Sequence, residues 1–213
     1  DVTLSGTING IIRTGIDNDV VVVRDSLTLG AGSKIDAEAG DGDTLIFIDH
    51  IGTWDAEQFG GFEKFDKAGS GEVTLTSGWN FLDSIEVRGG SLIVASGEDH
   101  RIGATTTTIG NTGTYVVNGV HVGNVFVQEG GMLTGSGRIS DVAIEDADVV
   151  SAGIVSPGHN GIGTLSLVSD YTQTATGRLD IELGAPGTSD LLEVGGTATL
   201  AGTVNFIPLD LAD

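Results

Sequence analysis

The segment Gly71-Glu-Val73-Thr-Leu75 contains the pattern that decides the fold: a glycine, one variable residue, and then apolar residues at alternate positions. Close variants occur at Gly90-Ser-Leu92-Ile-Val94, Gly113-Thr-Tyr115-Val-Val117, Gly163-Thr-Leu165-Ser-Leu167, Gly177-Arg-Leu179-Asp-Ile181 and Gly202-Thr-Val204-Asn-Phe206, with a partial copy at Gly131-Met-Leu133. Apolar residues with a period of two are typical of a strand that buries one face, and the glycine indicates a tight turn. The sequence therefore predicts many short β-strands separated by turns.

These segments recur at irregular intervals, which are 19 residues from Gly71 to Gly90, 23 from Gly90 to Gly113 and 18 from Gly113 to Gly131. Further strands are expected between them, at Ile85-Glu-Val87, Val120-His-Val122, Val125-Phe-Val127 and Val142-Ala-Ile144. A β-sandwich would show hairpins every ~8–12 residues, whereas a repeat near 20 residues is typical of a solenoid. We therefore predict an all-β fold, a parallel β-helix of about ten short coils.

The interior of such a β-helix is formed by inward-facing side chains that stack from one coil to the next. The alternating segments predict which apolar residues these are: Val73, Leu75, Ile85, Val87, Leu92, Val94, Leu165, Leu167, Leu179, Ile181, Val204 and Phe206. The turn glycines are expected to adopt backbone conformations that other residues resist.

The composition excludes several classes of function. The 213 residues include 35 glycines, and 30 acidic against 9 basic side chains give a net charge of −21. Nucleic acids and anionic membrane surfaces would be repelled by this charge. The absence of cysteine excludes disulfides and thiolate metal sites, and the four histidines are too scattered for a zinc site. We expect a monomer without cofactor or metal ion.

The aromatic segment from Trp54 to Phe65 departs from the repeat. It holds one of the two tryptophans and, with Phe59 and Phe62, three of the seven phenylalanines. One interpretation is a loop or short helix whose rings pack over a coil. The other is a platform formed by Trp54, Phe59 and Phe62 on which the sugar rings of a glycan stack.

Several segments resemble bacterial autotransporter passengers, the exported parts of type V secretion proteins. Residues 62–76 resemble the β-strand repeat associated with these passengers. The carboxyl-terminal third resembles the distal end of a passenger, where the family's autochaperone-like segment lies. The segments that carry this resemblance are Leu133-Thr-Gly-Ser-Gly-Arg-Ile139, Ile154-Val-Ser-Pro157-Gly158, Gly163-Thr-Leu165-Ser-Leu167, Tyr171-Thr-Gln173, Gly177-Arg-Leu-Asp-Ile-Glu-Leu183 and residues 190–206.

The resemblance implies a right-handed parallel β-helix that forms one continuous domain. Its coils would comprise residues 1–130, with the aromatic segment near 54–65, and residues 131–213, which correspond to the autochaperone-like segment. The implied function is a structural stalk and folding nucleus that supports export and display at the bacterial cell surface, or secretion. The implied partner is the protein's own outer-membrane β-barrel, which lies outside these 213 residues.

Two short motifs raise alternatives. Ile46-Phe-Ile-Asp49-His50 resembles a signature of pectate lyases, which need carboxylates for Ca²⁺ and an arginine base, but no Arg-x-x-Pro-x-x-Arg segment accompanies it. Residues 39–45 resemble one copy of a calcium-binding nonapeptide repeat, and a single copy cannot form stacked half-sites. We therefore expect no catalytic residue and no enzyme. An adhesin that binds a host protein or glycan and a polysaccharide lyase remain alternative hypotheses.

Overall fold

The computed structural model describes residues 2–24, 26–38, 40, 42–79, 82–140 and 147–209. Within these residues the chain forms 24 β-strands and one turn of 3₁₀ helix, Ala56–Gln58. The strands are β1 Val2–Leu4, β2 Thr7–Ile8, β3 Ile11–Arg13, β4 Val20–Val23, β5 Thr28–Leu29, β6 Lys34–Asp36, β7 Thr44–Ile48, β8 Gly52–Asp55, β9 Phe59–Gly60, β10 Lys64–Ala68, β11 Glu72–Thr76, β12 Leu82–Val94, β13 Arg101–Val117, β14 Val120–Val127, β15 Met132–Gly135, β16 Arg138–Ser140, β17 Val149–Ser151, β18 Ile154–Pro157, β19 Thr164–Leu167, β20 Tyr171–Gln173, β21 Arg178–Leu183, β22 Leu191–Val194, β23 Ala198–Thr199 and β24 Thr203–Pro208.

These strands form a parallel β-helix of about nine turns, close to the ten coils expected. Each coil passes through a first, a second and a third face, and each strand pairs in parallel with the strand of the same face in the neighbouring coil. β1, β4, β7, β10, β17, β20 and β23 lie on the first face. β8, β11, β15, β18, β21 and β24 lie on the second face, and β16, β19 and β22 on the third. The long strands β12, β13 and β14 bend round corners and contribute to more than one face. Residues 142–144, where a strand was predicted, lie outside the described residues.

The stacking is in register over the whole first face. One inward-facing position can be followed from coil to coil through the successive partners Val2, Val21, Leu45, Phe65, Ile85, Thr107, Val125, Val149, Tyr171 and Ala198. A side chain in such a column is covered by the coil below and the coil above, because a single coil is too thin to bury it. Alternation along each strand therefore determines which side chains form the core.

Most of the residues expected inside are buried in these columns. The buried ones are Val73, Leu75, Ile85, Val87, Leu92, Val94, Leu165, Leu167 and Leu179. Ile181 is partly buried. Val204 and Phe206 are exceptions, with 41 % and 61 % of their surface exposed. They pair in register with Leu179 and Ile181, but β24 has no described strand on its other side, so the prediction that they are buried is wrong.

The corner between the first and second faces explains the repeated glycines. Here adjacent coils approach so closely that a Cβ atom would collide with the backbone of the preceding coil. At Gly113 a Cβ would lie 2.0 Å from the carbonyl oxygen of Val87. At Gly202 it would lie 2.1 Å from that of Gly177, and there φ is also positive, at +66°. The glycine at this corner is thus required by the distance between coils as much as by the turn.

We predict that Gly113→Ala lowers the free energy of unfolding by roughly 1–3 kcal/mol, because the new methyl group forces the two coils apart. Urea unfolding followed by circular dichroism measures the change. Gly78→Ala is the matched control, since a Cβ there meets its nearest atom at 3.6 Å, an ordinary contact. Equal losses in the two variants would contradict the explanation.

Candidate functional site

The three aromatic side chains considered as a platform for sugar rings do not lie at the protein surface. Trp54, Phe59 and Phe62 are all buried, with at most 5 % of their surface exposed. The ring centroids of Trp54 and Phe59 lie 5.5 Å apart, and each lies within 5.6 Å of Phe47. The alternation of β8 and β9 directs these side chains inward, so they form an aromatic part of the core. The prediction of an aromatic ligand platform is therefore wrong.

Asp49 and His50, which form the lyase-like motif, connect neighbouring coils. The indole N–H of Trp54 donates to His50 Nε2 at 2.9 Å, so His50 Nδ1 carries the proton and donates to the carbonyl oxygen of Arg24 at 3.1 Å. Asp49 accepts hydrogen bonds from the backbone N–H and the hydroxyl of Ser70. These bonds hold the pKa of Asp49 below its usual range. The side chains of Asp49 and His50 thus form hydrogen bonds that hold neighbouring coils together.

Lys67 is a fully buried lysine on β10. Its Nζ donates to the carbonyl oxygens of Ala68, Ser70 and Gly89, each at 3.1 Å. Burial lowers the pKa of Lys67, while the charges of Asp49 and Asp66 act in the opposite direction. The ammonium group satisfies carbonyls of the corner in its own coil and in the next one, and so holds the two coils together.

Polar side chains form a column at the corner between the third and first faces. Its members directly precede first-face strands and accept a hydrogen bond from the backbone of a neighbouring coil. The N–H of Asp148 donates to Asn124 Oδ1 at 3.0 Å, that of Asp170 to Asp148 Oδ1 at 3.3 Å, and that of Thr197 to Asp170 Oδ1 at 2.7 Å. The carboxylates of Asp148 and Asp170 thus accept backbone hydrogen bonds between coils.

The calcium-like segment belongs to the same column. Asp43 accepts from the N–H of Asp19 at 2.6 Å, and Glu63 accepts from the N–H groups of Gly42 and Asp43. Ala39 and Asp41 of this segment, and Glu145 and Asp146 further along the chain, lie outside the described residues. Within the described ranges, no group of three or more histidine or acidic side chains is arranged to hold a metal ion.

We take the carboxyl-terminal coils as the candidate functional site, because several buried polar side chains join one coil to the next there. Gln173 is buried on β20 and shares its amide hydrogens among three carbonyl oxygens. Those of Gly177 and Thr203 lie at 3.3 and 3.1 Å, and the third belongs to Ala201. The hydroxyl of Tyr171 donates to Gln173 Oε1 at 3.2 Å and thereby orients the amide. Burial raises the pKa of Tyr171, so this hydroxyl stays protonated.

Two buried aspartates complete the site. Asp190 Oδ1 accepts from the N–H of Gly163 and its Oδ2 from the N–H of Glu182, both at 2.9 Å. Asp180 accepts from Arg178 at 2.8 Å and from the side-chain amide of Asn205, on the last strand, at 3.2 Å. Both carboxylates therefore join segments from successive coils.

The sequence interpretation missed these polar ties, although a signal for some of them exists. An aspartate stands directly before an apolar strand at Asp43, Asp148, Asp170 and Asp190. At each of these positions the carboxylate accepts a hydrogen bond from a backbone N–H of a neighbouring coil or turn. Nothing in the local sequence marks Gln173 in this way. Its amide donates to carbonyl oxygens of the following turn and of the next coil, whose positions are known only from the fold.

No protein-family model, curated protein or solved structure matches the chain. In the part of the chain that the structure describes, no helix has the length and apolar character needed to cross a membrane.

We predict that Gln173→Leu costs roughly 2–3 kcal/mol, because it removes an amide donor and leaves buried carbonyls of the last coil without partners. Hydrogen exchange measured by mass spectrometry should show faster exchange in residues 198–208. Gln128→Leu is the control, since Gln128 is exposed. Unchanged exchange in the last coil of the Gln173 variant would show that this amide does not hold the coil.

Proposed function

We propose that the chain is the structural stalk and folding nucleus of a surface-exposed bacterial autotransporter passenger, in which residues 131–213 act as the autochaperone-like segment. The observation that carries this proposal is the set of side-chain hydrogen bonds that join the final coil to the coil before it. Gln173, Asp170 and Asp180 all bind the final coil, whose apolar residues Val204 and Phe206 are covered on one side only. Such ties allow an end coil to stay ordered before a further coil covers it.

A folded carboxyl-terminal nucleus can serve as a template for the rest of the stack. Its edge toward the amino-terminal coils presents the backbone groups and the apolar columns on which the next coil to emerge forms, so each added coil gains a complete partner. When the carboxyl-terminal coils emerge first from the outer membrane, stepwise stacking outside the cell opposes return of the chain. The net charge of −21 keeps the exposed rod soluble.

In this proposal the chain carries or displays a function and performs no catalysis. The partner is the protein's own outer-membrane barrel, and the location is the bacterial surface or the surrounding medium. The parent gene tests this partner directly, because it should encode, after Asp213, a series of alternating strands of ~10 residues each. A parent gene without such a barrel would overturn the autotransporter proposal. The competing adhesin hypothesis loses the aromatic platform on which its glycan argument depended.

The folding order is tested by refolding the full chain from urea with pulsed hydrogen exchange. A carboxyl-terminal nucleus predicts that amides in residues 149–208 become protected before those in residues 20–76. Simultaneous protection of all coils, or earlier protection of the first coils, would contradict the proposed nucleus.

We predict that Leu179→Asp prevents the end of the stack from forming. Leu179 is buried between Val155 and Val204, where an unpaired carboxylate would cost at least ~3 kcal/mol. Limited proteolysis of the variant should show loss of resistance in the carboxyl-terminal coils, and export from cells carrying the parent gene should fall several-fold. Ala175→Asp, at an exposed position in the same coil, should change neither. Normal export of the Leu179 variant would contradict the stacking mechanism.

A further inference from the structure

One coil in the middle of the β-helix has a polar residue at an inward position on all three faces. These residues are Thr107 on the first face, Tyr115 on the second and His121 on the third, and all three are fully buried. Their side chains meet inside the coil. The tyrosine hydroxyl lies 2.9 Å from His121 Nδ1, and the threonine hydroxyl lies 3.4 Å from His121 Nε2. We call these three residues the polar layer.

The polar layer lies between two apolar layers. The in-register neighbours on one side are Ile85, Leu92 and Ile102, and those on the other side are Val125, Leu133 and Ile139. All six are buried hydrocarbon side chains. None of them can donate or accept a hydrogen bond, so the partners of His121 are the other two members of its own layer.

The hydrogen bonds of this layer match a neutral imidazole. Neutral histidine has one nitrogen that donates and one that accepts, and two hydroxyl groups can satisfy both in either tautomer. An imidazolium has two donors and no acceptor. Both hydroxyl oxygens would then have to accept, and the hydroxyl that donates to the neutral ring would lose its acceptor inside an apolar core.

Among the residues that the structure describes, no negatively charged side chain faces His121. Of the side chains that β12, β13, β14, β15 and β16 place around His121, only Tyr115 is titratable, and burial raises its pKa. Arg101 and Arg138, which adjoin Ile102 and Ile139, are exposed cations and would disfavour a further positive charge. Burial lowers the pKa of His121 to about 3.

We propose that the polar layer is an acid-sensitive joint: protonation of His121 opens the solenoid locally over residues 101–140, while the carboxyl-terminal coils 149–208 remain stacked. The reason is that the proton can bind only after the layer has opened to water. Each coil contacts only its two neighbours, so an opening in the middle need not spread to both ends. The inference does not depend on the proposed export function.

The sign of the pH effect follows from the two states of His121. The opened chain binds a proton near pH 6.5, the ordinary histidine value, whereas the closed layer stays neutral down to about pH 3. The stabilisation is therefore complete well above pH 6.5 and decreases as the pH falls through that value. Because the histidine of the opened chain is already half protonated at pH 6.5, the equilibrium constant for opening should rise about 16-fold between pH 6.5 and pH 5, and about tenfold per pH unit below that.

Hydrogen exchange of the full chain at pH 6.5 and pH 5, corrected for the intrinsic exchange rate, tests the proposal. Residues 101–140 should show the rise of about 16-fold, and residues 149–208 should show little change. His121→Gln keeps a polar side chain that does not titrate in this range, and its exchange should lose the rise. His159→Gln, at a partly exposed histidine outside the layer, should behave like the unaltered chain.

A second variant keeps the test decisive where His121→Gln alone disturbs folding. Thr107→Val combined with Tyr115→Phe and His121→Leu converts the layer to an apolar one like its neighbours, and should exchange slowly at both pH values. The joint would be disproved by an equal pH response in the unaltered chain and in these variants. An opening that starts outside residues 101–140 would disprove it as well.

Discussion

The close approach of successive coils is the constraint on which this structure depends. Backbone hydrogen bonds join each strand to the same face of the next coil, and this spacing leaves no room for a Cβ atom at the glycine that directly precedes a second-face strand. A Cβ at Gly113 would be 2.0 Å from a carbonyl oxygen. The same spacing brings inward side chains into contact along each column, so burial depends on neighbouring coils. The exposure of Phe206 on the last strand is the direct consequence.

Local sequence was sufficient to predict the architecture. Alternating apolar residues after Gly71, Gly90 and Gly113 mark second-face strands, and their spacing indicates the length of a coil. The segment that begins at Gly163 shows the limit of this reading, because it forms β19 on the third face. The glycine that begins the second-face strand of that coil is Gly153, before β18. Two faces with the same alternation cannot be distinguished until the stacking partners are known.

The side-chain ties could be predicted only in part. An aspartate before an apolar strand is visible in the sequence, but its acceptor role depends on which backbone N–H lies above or below it. Lys67, Gln173 and His121 occupy positions where alternation predicts an inward residue, and their polar partners come from other faces or coils. The aromatic segment failed as a ligand site for a related reason. Aromatic rings in a short irregular stretch suit a surface platform or a core, and only the direction of β8 and β9 distinguishes the two.

The corner between the second and third faces has a consequence for what the rod can carry. It comprises residues 118–119 in one coil and residues 184–190 in another, yet the strands on either side of the longer segment keep their pairing with the coil below. Residues 185–189 of the longer segment are exposed, and the columns on both sides of it stay intact. The corners of successive coils lie above one another, so we expect this edge to accept insertions at several heights. Foreign peptides placed there would be held at regular heights along a rigid support, a property suited to the ordered presentation of epitopes.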